Sequence, residues 1–528
     1  MSRHTVEVLQ RPAHSGQFLN ALLHAGEGKE SVVAAATRTS AGWDHLTYGE
    51  LGRCVDRVAA GLRAQGVKPG DRVVLAGEPG GVWLSVLFGA LRCGAVAVPL
   101  DPALTPSEME PMVARSEPRV VLGPAEMVDL AEVSGPRATR ALETPDDSAP
   151  DRHTTGGGSA PPDDPPLTQT MAAVRSPDDP ALIVWTSGTT GAPKGVTLTF
   201  ANIAYSVEQV LAGQKPSPDD RWLSVLPAHH LLELCCGLLP ALASGGSVWF
   251  ARTLMPKEIA SIVREQGITK MVAVPLLLRI LQPALKGSGL GTVYCGGAPL
   301  DPAVVERYAA MGIAVHPGYG LTEVAPTVSM NTPEHNRAGS VGRPLAGTDI
   351  RIATEGSAAD GEILVRSPAV MLRYWEDEAL TVAAVDAEGW LHTGDLGHVD
   401  EDGYLFVTGR CKRLVVLESG KKVQPEEVEG ALAAGGRFSE VCAVGVRVDG
   451  KAEQVCAVVV PTPAMAAGHP DAAGLHEAAV VEVARLTSSL SGYKRPTVVK
   501  VHHGAFPLTQ KGAPRHTEVA RMVEEGNL

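Results

Sequence analysis

The chain has 528 residues. At about 150 residues per domain this suggests two to four domains, each able to bury a core, and excludes a peptide or disulfide miniprotein. Hydrophobic residues at 44% and charged residues at 20% sit near globular averages, while 57 Gly and 40 Pro indicate many turns and loops. Lys plus Arg number 46 against 59 Asp plus Glu, a net charge of −13. No global positive field therefore draws in nucleic acid or anionic lipid, and any anion must be bound by a local site.

Eight cysteines show no C-x-x-C pair and no His/Cys cluster with zinc spacing, so they read as reduced core residues. The N-terminal stretch has no uninterrupted apolar run of the kind a secretory signal needs. The most apolar windows, 81–100 and 231–250, are broken by Arg92 and by Glu233, Pro240 and Gly245-Gly246. No membrane span is expected, and the expected location is cytoplasmic.

In chain order, Thr47 with Glu50 three positions later forms a capping-box pattern ahead of Leu51, Val55, Val58 and Leu62 at helical spacing, with Gly66 as the stop. Pro69-Gly70 precedes a strand from Arg72, a helix from Val82 and a second strand ending at Leu100. Residues 144–168 concentrate Pro, Gly, Asp, Ser and Thr and read as a mobile loop. Alternation then resumes with a strand from Thr269, a helix from Leu276, a strand from Thr292, a helix from Pro302 and a strand from Ile313. This pattern predicts an α/β fold with a large N-terminal domain of doubly wound, parallel sheets. Beyond Gly409 it becomes α+β: a helix over 425–434, two strands joined by a turn at Asp449-Gly450, and a helix near 472–490. The expected division is a large domain over 1–409, a hinge at 410–412 and a small mobile domain over 413–528.

Ligands of open α/β sheets gather at the carboxyl ends of strands. Gly296-Gly297-Ala298-Pro299 and Gly318-Tyr319-Gly320-Leu321-Thr322-Glu323 are therefore expected to share one crevice. The segment Thr186-Ser187-Gly188-Thr189-Thr190-Gly191-Ala192-Pro193-Lys194-Gly195 follows the apolar strand ALIVW. Its three glycines let backbone N–H groups approach phosphate oxygens, its hydroxyls add donors, and Lys194 brings positive charge, a composition suited to a polyphosphate. It is not a Walker A loop, because no Ser or Thr follows Lys194. Composition alone puts a solvated Gly/Thr turn ahead of that reading.

The order of these residues, with other blocks along nearly the whole chain, resembles the adenylate-forming superfamily of acyl- and aryl-CoA synthetases, adenylation domains and luciferases. The blocks include LTYGEL from Leu46, GAVAVPLDPALT from Gly94, LPAHHLLE from Leu226, GGAPL from Gly296 and GYGLTE from Gly318. They continue with GSVGRPLAGTDI from Gly339, GEILVRSPAVM from Gly361, GWLHTGD from Gly389, GYLFVTGRCKR from Gly403 and SGKKVQPEEVE from Ser419. The resemblance implies that an acid attacks the α-phosphate of ATP, pyrophosphate leaves, and the acyl-adenylate passes to a thiol or other nucleophile, with charge stabilisation dominating the chemistry.

The same resemblance implies roles for individual residues. Glu323 is the Mg²⁺ position and Thr322 the α-phosphate contact; on their own the two residues equally fit a helix N-cap pair. Tyr319 and Gly297-Ala298-Pro299 form the adenine slot, Asp395 and Arg410 contact the ribose, and Lys412 is the hinge residue. His229 and His230 line the acid pocket, with His230 nearer the substrate, and Gly320 belongs to the same substrate-facing turn. Gly420 lies beside the tunnel for the CoA pantetheine. L-P-x-x-H-x-x-E is similar to the fatty and aryl acid–CoA ligases, and no aspartate marks an amino-acid pocket. The chain is expected to act alone on free CoA or with a separate carrier protein.

The family's last motif, P-x-T-x-T-G-K-x-x-R, departs here. Pro507-Leu508-Thr509-Gln510-Lys511-Gly512-Ala513-Pro514-Arg515 puts Ala513 where the bridging lysine belongs, and Lys511 stands two positions earlier. Losing such a cation raises the barrier by several kcal/mol, on the order of the contacts that stabilise transition-state charge. Phe200 replaces a frequent His, and Arg373 a Gly before Tyr374. Three functions compete: an AMP-forming acid:CoA ligase, an enzyme activating another oxyacid such as nitrite for aryl amine diazotisation, and a nucleotide-binding protein without turnover.

Overall fold

The computed structural model describes residues 30–123, 175–186, 193–354, 361–410, 415–423, 425–447, 453–469, 471–504, 506–507, 514 and 516–526. The expected loop at 144–168 and the turn at Asp449-Gly450 lie outside them. The capping box is present: Glu50 N donates to Thr47 Oγ1 at 3.2 Å and Thr47 N to Glu50 Oε2 at 2.8 Å. The helix Tyr48–Ala64 that it starts buries Leu51, Val55, Ala59 and Leu62 at i, i+4, i+8 and i+11, and Gly66 leaves it at φ +80°.

Two sheets carry the large domain. The first runs Arg343–Pro344, Thr327–Met330, Ala314–Gly320, Thr292–Cys295, Lys270–Ala273, Arg221–Ser224, Ser247–Phe250, Val33–Thr39, Gly42–Thr47 from edge to edge. Its six inner strands, from Ala314–Gly320 to Val33–Thr39, are parallel. The second runs Arg373–Tyr374, Lys194–Thr199, Pro180–Thr186, Val96–Pro99, Arg72–Leu75, Val120–Leu122, the last four parallel. One continuous core, with Leu51, Phe88, Val207 and Trp222 in it, joins them through the helices Tyr48–Ala64, Gly81–Arg92 and Phe200–Gln214. Helices Pro256–Glu265, Pro275–Leu285 and Pro302–Ala309 cover the outer face of the first sheet through Ile259, Leu278 and Val304. This is the doubly wound arrangement that the alternation predicts.

The parallel reading holds only for the inner strands: Gly42–Thr47, Thr327–Met330 and Arg343–Pro344 in the first sheet, and Lys194–Thr199 and Arg373–Tyr374 in the second, pair antiparallel. Asp349–Ala353, Gly361–Arg366, Leu391–Val399 and Leu405–Arg410 form a separate sheet whose pairings are all antiparallel. A parallel pair needs a crossover of a dozen or more residues; the links at 354–360 and 400–404 are shorter and make hairpins, while the longer link at 367–390 also returns the chain antiparallel.

The small α+β domain pairs Phe438–Val446 antiparallel with Gln454–Pro461, which pairs parallel with Val498–Val501. Helices Pro425–Ala433 and Ala472–Leu486 bury Val428, Leu432, Leu475 and Ala479 on one face of this sheet. Helix His516–Glu524 covers the other face with Val519 and Val523 against Val444 and Cys456. The cysteines among the described residues are free thiols; Cys54 is half-buried and the other six are buried, as the composition suggests. No helix of the described residues is long and apolar enough to cross a membrane.

Candidate active site

The parallel register aligns Ala273, Cys295 and Pro317, so the strands Thr292–Cys295 and Ala314–Gly320 empty side by side into their glycine turns. Gly297 sits at φ +85°, a conformation that disfavours other residues. A Cβ on Gly320 would lie 1.8 Å from the carbonyl oxygen of Pro326, so only glycine allows this backbone approach. The two turns adjoin: a Cβ on Gly296 would lie 3.7 Å from the Gly318 oxygen.

A third element closes the crevice. Tyr319 donates its hydroxyl to Asp395 Oδ2 at 2.7 Å. Asp395 is buried and lies on the antiparallel strand Leu391–Val399, where its cross-strand partner is Arg410. The part of the strand just before it is held by the neighbouring strand: Thr393 Oγ1 donates to Ile363 O at 2.6 Å and Gly394 N to Glu362 Oε1 at 2.9 Å.

Thr322 and Glu323 occupy a short 3-10 turn, Thr322–Val324, whose cap residue is Leu321 and carries no side-chain cap bond. The N-cap reading of this pair is therefore wrong, since the chain turns too tightly for an α-helix to follow. Glu323 Oε1 accepts from Tyr374 Oη at 2.7 Å, and Met371 N donates to the Glu323 carbonyl at 2.8 Å. Burial, then the Glu323 carboxylate, pushes the Tyr374 phenol up, so it stays protonated and donates. Lys194 Nζ lies 5.4 Å from the Tyr374 ring centre, which lines up Lys194, Tyr374 and Glu323. Lys194 also faces Thr186 across the hairpin that flanks the expected phosphate loop. Ser187, Gly188, Thr189, Thr190 and Gly191 lie outside the described residues, as do Lys412, Lys511 and Ala513.

The two histidines separate. His229 is buried, with Nε2 3.7 Å from Asp101 Oδ2, whereas His230 is exposed; their rings are 4.3 Å apart. Burial, then His230 and Lys421, holds the His229 pKa well below the usual value, so it is neutral. The following helical turn includes a π turn, Leu234–Leu238, which brings Cys236 Sγ to 3.2 Å from Thr327 Oγ1; Thr327 in turn pairs with Gly320. Gly420, at φ +78°, approaches the same strand ends from the small domain: a Cβ there would meet Val274 Cγ1 at 3.0 Å and the Gly297 oxygen at 3.8 Å.

No sequence pattern assigns a role to Tyr374, Glu362, Thr327 or Asp101. Tyr374 is 51 residues from Glu323, and no local pattern announces such a contact.

Residues 21–375 match the family model described as "AMP-binding enzyme". A feruloyl-CoA synthase of an Amycolatopsis species is 34% identical over 92% of this chain and 96% of its own length. The indoleacetate–CoA ligase of Aromatoleum aromaticum is 30% identical over 90% and 93%. Among solved structures, the amide bond synthetase McbA of Marinactinospora thermotolerans superposes with a TM-score of 0.77 at 25% identity, over 96% of this chain and 99% of that one. ATP-bound MatB of Rhodopseudomonas palustris gives 0.68 at 27%, over 98% and 100%. With a crevice of this form and a family model that spans most of the chain, the protein belongs to the AMP-binding enzyme family.

Proposed function

We propose that the chain is an ATP-dependent, AMP-forming acid:CoA ligase, and that aromatic acids are the first class to test. A carboxylate oxygen attacks the α-phosphorus of ATP and pyrophosphate leaves; the CoA sulfur then attacks the acyl carbonyl, giving the thioester and AMP. The CoA ligases among the relatives favour this reading over nitrite activation or a nucleotide binder without turnover. The observation that carries it is the convergence on one crevice of Tyr319 bonded to Asp395 and of Lys194, Tyr374 and Glu323 in line.

In this reading Asp395 and Arg410 take the ribose, and Tyr319 with Gly297, Ala298 and Pro299 takes the adenine. The loop from Thr186 to Lys194 takes the outer phosphates, and Thr322 the α-phosphate. Glu323, a hard oxygen ligand oriented by Tyr374, would hold the Mg²⁺ that accompanies ATP and neutralises its triphosphate. Neutral His229 and exposed His230 flank the acid, and Gly320 leaves room for it. Gly420 borders the pantetheine path, and a separate carrier protein is the alternative acceptor. The domain boundary falls after residue 409, Lys412 is the pivot, and Lys511 substitutes for the lysine absent at Ala513. Free thiols throughout the described residues support a reducing, cytoplasmic setting.

The test is product analysis by mass spectrometry with ATP, Mg²⁺, CoA and a panel of aromatic and fatty acids. Acyl-CoA and AMP in equal amounts with at least one acid are expected. ADP, or AMP formed without a thioester, contradicts the reading.

A further inference from the structure

The small domain meets the large one along a continuous polar seam. Leu276 N donates to the Glu418 carbonyl at 3.0 Å, and Arg279 pairs with the Glu418 carboxylate. Lys421 Nζ is 3.9 Å from Asp101 Oδ2 and 4.1 Å from the ring centre of Tyr493. Next to Tyr493, the buried Lys494 Nζ lies 3.4 Å from Glu108 Oε1 and 3.3 Å from Glu427 Oε2. Glu108 also accepts from Ser491 Oγ at 2.5 and 2.6 Å and from Ser491 N at 3.2 Å.

Glu108 is the acid of the capping box that starts the large-domain helix Pro106–Ser116, with Thr105 N at 3.0 Å and Thr105 Oγ1 at 2.9 Å. One carboxylate thus serves its own helix and grips the loop around Gly492, 383 residues away in sequence. Burial alone would raise its pKa, but the Ser491 and Thr105 hydrogen bonds and the Lys494 ammonium hold it at about 2. The grip is therefore charged at every physiological pH, and charge-assisted hydrogen bonds are the strong kind.

We propose that Glu108, with Ser491 and Lys494 as its partners, is a positioning residue for acyl transfer, locking the small domain in the pose that keeps Gly420 over the Gly297 turn. This rests on the two-step reaction proposed above. Lys421 links the grip to the crevice, because the same side chain stacks on Tyr493 and faces Asp101, the neighbour of His229. A small domain freed from Glu108 loses this alignment while the ATP site of the large domain stays intact.

Glu108→Gln is the informative variant, because glutamine retains the capping box and removes the charge. Ser491→Ala removes one donor without touching that helix. Both are expected to slow thioester formation from preformed adenylate, Glu108→Gln by about 10-fold, while acid-dependent pyrophosphate exchange stays within about twofold of the parent. Both half-reactions falling together, or neither changing, overturns the proposal. Small-angle scattering of the ligand-free protein is the readout that needs no acceptor. The variants are expected to show a larger radius of gyration than the parent, and superimposable curves overturn the latch. A parent that forms adenylate but no CoA thioester refutes the ligase reading instead, and scattering still decides the latch.

Discussion

Burial decides the state of Glu233. The side chain is fully enclosed, and desolvation, only partly offset by the Ser224 hydroxyl, pushes its pKa up to about 8. Below the ordinary value of 4.5 the folded and unfolded chains both carry the proton; between 4.5 and 8 only the folded chain keeps it. Stability therefore falls as pH rises through that window, by about 1.4 kcal/mol for each pH unit, and levels off above it. Glu233→Gln removes this dependence, so its melting temperature should exceed the parent's at pH 8.5 and match it at pH 4; parallel melting curves for the two proteins would refute the assignment. At the crevice, Tyr319→Phe deletes the bond to Asp395 and should raise KM for ATP by about three- to tenfold with little change in kcat, the effect of one typical net hydrogen bond of about 0.5–1.5 kcal/mol. Glu323, Tyr319 and Asp395 were legible as candidates because each sits in a run whose order of glycines and hydroxyls is itself informative, and the structure joins Tyr319 to Asp395. Tyr374 and Glu362 were not, since each acts on a residue 30 or more positions away.

Among the elements, the hairpin that flanks the expected phosphate loop is held from outside. Arg115 Nη1 donates to the Pro193 carbonyl at 2.5 Å, its guanidinium lies 4.9 Å from the Trp185 ring centre, and Trp375 Nε1 donates back to the Arg115 carbonyl at 3.0 Å. Arg115→Ala should loosen the hairpin, raising KM for ATP several-fold, on the order of 1–2 kcal/mol for a lost charge-assisted bond. A calorimetric ATP titration of that variant showing parental affinity would contradict the role. The Val-rich parallel strands and the capped helices could be read from sequence, because burial on both faces and capping chemistry are local signals. The antiparallel sheet that carries Asp395 could not: its strand Leu391–Val399, LHTGDLGHV, mixes glycine and polar residues without alternation.

For the whole molecule, a small α+β unit was legible as a change of pattern, but not its seam with the rest. Glu108 meeting Ser491 is a contact that only the folded chain creates. The departure at Ala513 belongs to this scale, because a cation there has to arrive with the small domain. If Lys511 takes that part, Lys511→Ala should lower acid-dependent exchange by about 100-fold and Ala513→Lys should restore it, as expected for a charge worth a few kcal/mol in the transition state. An unchanged rate for Lys511→Ala would assign the charge elsewhere. The central claim is that an acid is adenylated in the crevice between the glycine turns and Asp395, with Glu323 supporting the metal. Radiolabelled pyrophosphate exchange into ATP, measured for the parent and for Glu323→Gln across the acid panel, tests it most directly. The account predicts exchange that requires both an acid and Mg²⁺ and that falls at least about 100-fold in the variant; exchange without acid, or equal rates in the two proteins, would contradict it.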